Sequence, residues 1–210
     1  MYKGAFAAIS GLLGVLRALT RPGQYYGRTL RRLVRRASPL VRALFLAWLT
    51  VGAMAATFTL SGLLLSLHAL AAGGIGGLLG GLPGIVVEAF KLSIVAPLLF
   101  GFVDSAILYL ILAAAERSPP SLAGLLLVRM SSILPYTIKA LIASWRGGGL
   151  REVYAYTLHG GPLGALGLAF TLAGAALTAY GLAKSLDVRP PAAAAAAGTL
   201  WAVHLLAGLA

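Results

Sequence analysis

A chain of 210 residues with 60% hydrophobic and only 10% charged side chains, at a mean hydropathy of +0.92, is too apolar for a water-soluble domain. Its formal charge of +12 is gathered beside apolar runs rather than spread over a soluble surface, so anionic lipid is the expected partner and nucleic acid is not. The absence of Cys excludes disulfides and thiolate metal sites, and no cofactor is expected.

Eight of the seventeen basic residues and none of the five acidic ones precede Pro39. Lys3 and the run from Ala5 to Leu16 imitate a secretory signal, but Arg17 and Arg21 stand where a small-residue cleavage site belongs, so the segment is read as retained. Phe6, Ile9, Leu13 and Leu16 recur at helical spacing, and Arg21, Pro22 and Gly23 then break the helix. In the helix that follows, Arg28, Arg31, Arg32, Arg35 and Arg36 share one side while Tyr26, Leu30, Leu33 and Val34 face the other. Residues 1–41 are therefore expected to form a basic amphipathic arm in the headgroup layer. Its apolar side would be inserted and its five arginines set on lipid phosphates, each worth about 1 kcal/mol near an anionic surface. Control of topology alone would need the charge but not its sorting by face.

Residues 42–210 are expected to form an all-α, polytopic transmembrane bundle of five spans, at about 43–67, 92–115, 122–143, 162–183 and 192–210. A surface loop is expected over the glycine-dense stretch 73–84, with a re-entrant segment as the alternative. Glu88 and Lys91 are spaced to pair, and the short turn Glu116 to Ser121 makes the second and third spans antiparallel neighbours. An outer loop, Arg146 to Gly161, carries Arg151, Glu152, Tyr154, Tyr156 and His159. The basic arm fixes the amino terminus in the cytoplasm, and five crossings then put the carboxyl terminus outside a cell membrane.

Two constellations stand out within the spans. Gly160, Gly164, Gly167, Thr171, Gly174, Thr178 and Gly181 recur at alternating four- and three-residue steps, a small-residue stripe that lets another helix approach closely, in the same chain or in another copy. Asp104 and Arg129 fall at depths that differ by only about 6 Å across the hairpin. An unpaired charge in hydrocarbon costs at least about 2.5–3.5 kcal/mol, which favours an internal pair. A protonated Asp104 with a snorkelling Arg129, or a proton or ion relay, are the alternatives.

His68, His159 and His204 are expected toward the outer side, without the spacing of a metal site. No phosphate-binding loop, nucleophile elbow or helix-borne His and Glu pair is present, so no enzyme activity is expected.

Three stretches resemble the Yip family, the Ypt/Rab-interacting membrane proteins and their prokaryotic relatives. The arm LTRPGQYYGRTLRRLVRRASPLVRALFLAWL is similar to the family's proline-plus-aromatic lead into a first span. The block SLAGLLLVRMSSILPYTIKALIA, with Pro135, is similar to its proline-bearing span. The end LGLAFTLAGAALTAYGLAKSLDVRPPAAAAAAGTLWAVHLL, with its step Gly181 and Leu182, is similar to its closing pair of helices. The resemblance implies five spans, a cytoplasmic arm, and assembly with copies of itself or with related membrane proteins. In eukaryotes it also implies contact with prenylated Rab GTPases and a part in vesicle traffic and membrane shaping. This chain lacks a long acidic or proline-rich cytosolic domain and a clear Asp-Leu-Tyr-Gly-Pro motif, so the resemblance does not bring GTPase binding with it.

The reading that emerges is a non-enzymatic scaffold that docks a basic arm on anionic lipid and assembles through helix packing. The rival is a transporter or channel subunit in which Asp104 and Arg129, with Ser131 and Ser132, line a polar path.

Overall fold

Leu and Ala favour helix, and in hydrocarbon a helix satisfies its own backbone donors and acceptors. The computed structural model describes residues 13–14, 16–116, 118–145 and 161–209, and all regular structure among them is helical. The arm helix runs through an α-helical turn Pro22–Gln24, a π-helical stretch Tyr25–Leu30 and a final α-helical segment Arg31–Arg36. Then come α1 (Pro39–Ala96), a π-helical stretch Pro97–Val103, α2 (Asp104–Ala115), α3 (Leu122–Ser131), α4 (Leu134–Trp145), α5 (Gly161–Ser185) and α6 (Pro190–Leu209). Ser38 and Ser121 cap α1 and α3, their hydroxyls accepting from the backbone N–H of Val41 and Gly124.

Among the described residues, three helical stretches are long and apolar enough to cross a membrane: Pro39–Ala115, Gly164–Ser185 and Pro190–Ala207. The first contains two of the expected spans, because the stretch 73–84 is helical and the expected surface loop is absent. Only Gly74 departs, at φ 61° and ψ −156°. The chain folds back there. A Cβ added to Gly77 would stand 3.0 Å from the carbonyl oxygen of Ala69, whereas eight residues of straight helix would separate the two by about 12 Å. Glycine density predicts a turn, and a turn is made, but Gly74 alone makes it, at a positive φ that glycine adopts without strain, so helix runs up to it and away from it.

The expected span 122–143 is broken instead of continuous. Its first part, α3, has ten residues and rises only about 15 Å, half the hydrocarbon thickness. Pro135 explains the interruption, since its ring would collide with the carbonyl of Ser131 in an unbroken helix and it disfavours helix at the preceding residue. The N–H of Ser132 closes α3 by reaching the carbonyls of both Val128 and Arg129 at 3.1 Å.

The arm is packed against protein. Tyr26 and Leu30, expected in hydrocarbon, are fully buried in the common core. The Ser185 hydroxyl donates to the carbonyl of Tyr26 at 2.9 Å, and the Tyr25 hydroxyl lies 2.8 Å from that of Ser131. The reason is shape: α5 presents Gly181 to the Tyr26 ring, where an added Cβ would fall 2.9 Å from Cε1.

The rest of the small-residue stripe is also used inside the chain. Gly164, Gly167, Thr171, Gly174, Thr178 and Gly181 are all buried, and Gly160 lies outside the described residues. Gly174 receives the ring of Tyr136 from α4, and Gly181 receives Val128 from α3 as well as Tyr26.

Candidate functional site

The most polar part of the interior is built where the helices are least regular. The π-helical stretch Pro97–Val103 ends directly before Asp104, and Gly101 within it sits beneath Met130 of α3, so α2 and α3 approach closely. One turn beyond Gly101, the Ser105 hydroxyl donates to its carbonyl at 2.6 Å. Arg129 sits near the end of α3, just before the break that Pro135 imposes.

Asp104 and Arg129 are brought together. Nη2 of Arg129 donates to Oδ2 of Asp104, while Nη1 reaches the Thr178 hydroxyl of α5 at 2.6 Å. The Ser132 hydroxyl stands 3.2 Å from that of Thr178. The ring of Tyr136 lies beneath the guanidinium, 4.6 Å from Cζ to the ring centroid, adding a cation–π contact. The second carboxylate oxygen, Oδ1, is 2.7 Å from Nε2 of His204 on α6. Phe100 and Tyr136 close the aromatic wall, stacked at 5.5 Å and each within 6 Å of the His204 ring. Relative exposure is 1% for Asp104, 0% for Arg129 and 2% for His204. Lys139 is buried one turn beyond Tyr136, within electrostatic reach of Asp104.

His204, read from the sequence as an interface residue toward the outer side, lies fourteen residues into α6, about 21 Å from its start, but it is buried on Asp104 instead of standing at an interface. The depth of Asp104 from Glu116 is similar, about 18 Å. Thr178, a member of the small-residue stripe, does more than pack. Its hydroxyl does donate to the carbonyl of Gly174 at 2.8 Å, but it also receives Arg129. Among the described residues no three His, Asp or Glu side chains form a metal-binding group, and His159 lies outside them, as do Arg146, Arg151, Glu152, Tyr154 and Tyr156.

A second charged cluster lies at the helix ends. Asp187, in the α5–α6 connection at φ 56°, takes Nη2 of Arg31 on Oδ1 at 2.7 Å and Nη2 of Arg35 on Oδ2. In the same connection Arg189 reaches Glu116 of the α2–α3 turn at 3.1 Å. The five arginines expected to meet lipid thus divide into two held by Asp187 and three, Arg28, Arg32 and Arg36, that are exposed and make no ion pair among the described residues. With Gly27 all five line a pocket of about 460 Å³. Burial pushes the Tyr25 hydroxyl up to about 12, so it stays protonated where it meets Ser131.

No protein-family model, curated protein or solved structure matches the chain.

The two clusters have different chemistry. The inner one neutralises its own carboxylate inside a closed aromatic and hydroxyl cage, while the outer one presents unneutralised guanidinium groups.

Proposed function

We propose that the protein is a non-enzymatic integral membrane scaffold of the Yip type, crossing the membrane five times with its amino terminus in the cytoplasm and its carboxyl terminus outside. It would organise membrane by holding a rigid basic surface against anionic lipid. The observation that carries this reading is the clamped arm: Tyr26 and Leu30 are buried in the bundle, and Arg28, Arg32 and Arg36 remain exposed without partners among the described residues. The similarity of the arm, the Pro135 segment and the closing helices to Yip proteins supports it from the sequence side. Assembly with copies or related proteins would draw on the exposed apolar faces, since the small-residue stripe is covered within the chain.

A transporter or channel subunit is the second reading. It is favoured by the placement of Asp104 directly after a π-helical stretch and opposite a broken helix, an arrangement that recurs around coupling-ion sites. Proteoliposomes separate the two. The scaffold reading expects proton and ion flux equal to that of empty liposomes for both the parent and Asp104→Asn. Flux in the parent that Asp104→Asn abolishes would replace it with the transporter.

A further inference from the structure

We infer that the arginine pocket of the arm helix binds the headgroup of a membrane lipid that carries a phosphomonoester. This deepens, and rests on, the reading of the arm as a lipid-docking element.

Charge favours a doubly negative headgroup. Of the five acidic residues, Glu88 pairs with Lys91, Asp104 with Arg129, Glu116 with Arg189 and Asp187 with Arg31 and Arg35, and Glu152 lies outside the described residues. Five guanidinium groups line the pocket against one carboxylate, so four positive charges remain. A phosphodiester headgroup would supply one negative charge, whereas a phosphomonoester beside guanidinium donors supplies two and three acceptor oxygens.

The pocket also lies at the level of the headgroups. Arg31 is tied to Asp187, between the ends of the two membrane-length helices, where headgroups lie. Six residues earlier, Tyr25 reaches Ser131 at the far end of α3, about 13 Å from its start. Arg32 stands beside Arg31 at the headgroup level and Arg28 one turn below it, both exposed on the side of the helix away from buried Tyr26 and Leu30. Their long stems bring both guanidinium groups to the level at which a lipid phosphate lies.

Two of the arginines are preorganised. Asp187 holds Arg31 and Arg35 at the pocket wall, so part of their conformational freedom is lost before a ligand arrives, and each planar fork suits two phosphate oxygens.

The test is titration of the full-length protein in neutral detergent with short-chain phosphatidic acid and short-chain phosphatidylglycerol, read by ligand-dependent thermal stabilisation. The expected result is at least about tenfold tighter binding of phosphatidic acid, from the added charge and forked contacts. R28Q/R32Q loses the preference, and R28K/R32K weakens it although charge is retained. R42Q/K184Q, which removes as much charge elsewhere, keeps it. Equal affinity for the two lipids, or equal loss in R42Q/K184Q, overturns the site while leaving general docking on anionic lipid intact. Inorganic phosphate binding as tightly as phosphatidic acid overturns the assignment to lipid. Failure of both lipids to bind overturns the site and the docking reading together.

Discussion

Asp104 and His204, a hundred positions apart, meet at 2.7 Å through Oδ1 and Nε2, while the other oxygen of the same carboxylate is taken by Arg129. One buried acid thus joins α2 to α3 and α6, and the second nitrogen of Arg129 extends the tie to Thr178 of α5. A carboxylate with donors on both oxygens is satisfied. The same carboxylate deprived of one is a charge left in hydrocarbon.

The cost of that loss sets the first prediction. Arg129→Gln leaves Asp104 without its cation and Asp104→Asn leaves Arg129 without its anion, and each should destabilise the folded protein by about 3–5 kcal/mol. The double change D104L/R129M removes both charges and should cost clearly less than the sum of the single changes. Denaturation of the purified variants in mixed detergent micelles provides the comparison. Additive losses would mean that the two side chains do not act as a unit.

Glycine predictions follow from space alone. A methyl group at Gly174 would lie 2.7 Å from two atoms of the Tyr136 ring, and that ring supports the Arg129 guanidinium. Gly174→Ala should therefore destabilise by about 1–3 kcal/mol through overpacking. A methyl group at Gly198 of α6 meets nothing within 4 Å. Gly198→Ala should be neutral or stabilising by up to about 1 kcal/mol, the helix propensity it gains. Thermal midpoints of the two variants, measured in one detergent, should move in opposite directions or differ by the full overpacking penalty.

Much of this arrangement is legible in the sequence, and the failures have physical causes. Helical character and the arginine face follow from composition and period, and the depths of Asp104 and Arg129 follow from counting residues to the turn. The single-residue reversal at Gly74, with helix on both sides of it, is not legible, because glycine density marks a turn without fixing its length. The break before Pro135 was open to inference from the proline itself. His204 required a comparison of depth in α6 with depth in α2, which hydropathy alone does not make. The division of the arginines required Asp187, whose place near the arm helix depends on how α5 and α6 pack.

The arm should be held by packing more than by charge. Tyr26 is fully buried over Gly181 and edge-on to Tyr25 and Tyr180, whereas the Asp187 pairs are partly exposed. Tyr26→Ala should cost about 3–5 kcal/mol of packing, against at most about 1 kcal/mol for Asp187→Asn. Limited trypsin digestion of the intact protein in detergent should cleave the arm rapidly in the first variant and near the parental rate in the second. Reversal of that order would assign the clamp to the ionic contacts.

Alkaline pH should loosen the same clamp. Burial raises the Tyr25 hydroxyl from its ordinary 10 to about 12 in the docked arm. An undocked tyrosine ionises from about pH 10, so the docked state keeps its full advantage below that value and loses it as pH rises toward 12. Tyr25→Phe, which has no ionisable group there, should blunt the change. The pH dependence of arm proteolysis by an alkali-tolerant protease gives the readout, and identical profiles for parent and Tyr25→Phe would remove Tyr25 from the account.

The charged centre is sealed within the helix bundle, away from water. The chain contains no Cys, so a single introduced thiol can be followed without background. Ser132→Cys places one beside Thr178 and Arg129, and Ser118→Cys places one on the exposed α2–α3 turn. In proteoliposomes permeabilised enough to expose both membrane faces, a water-soluble maleimide should label position 118 promptly and position 132 only after denaturation. Labelling of position 132 in the native bilayer, at a rate near that of position 118, would show water at the centre and contradict the account.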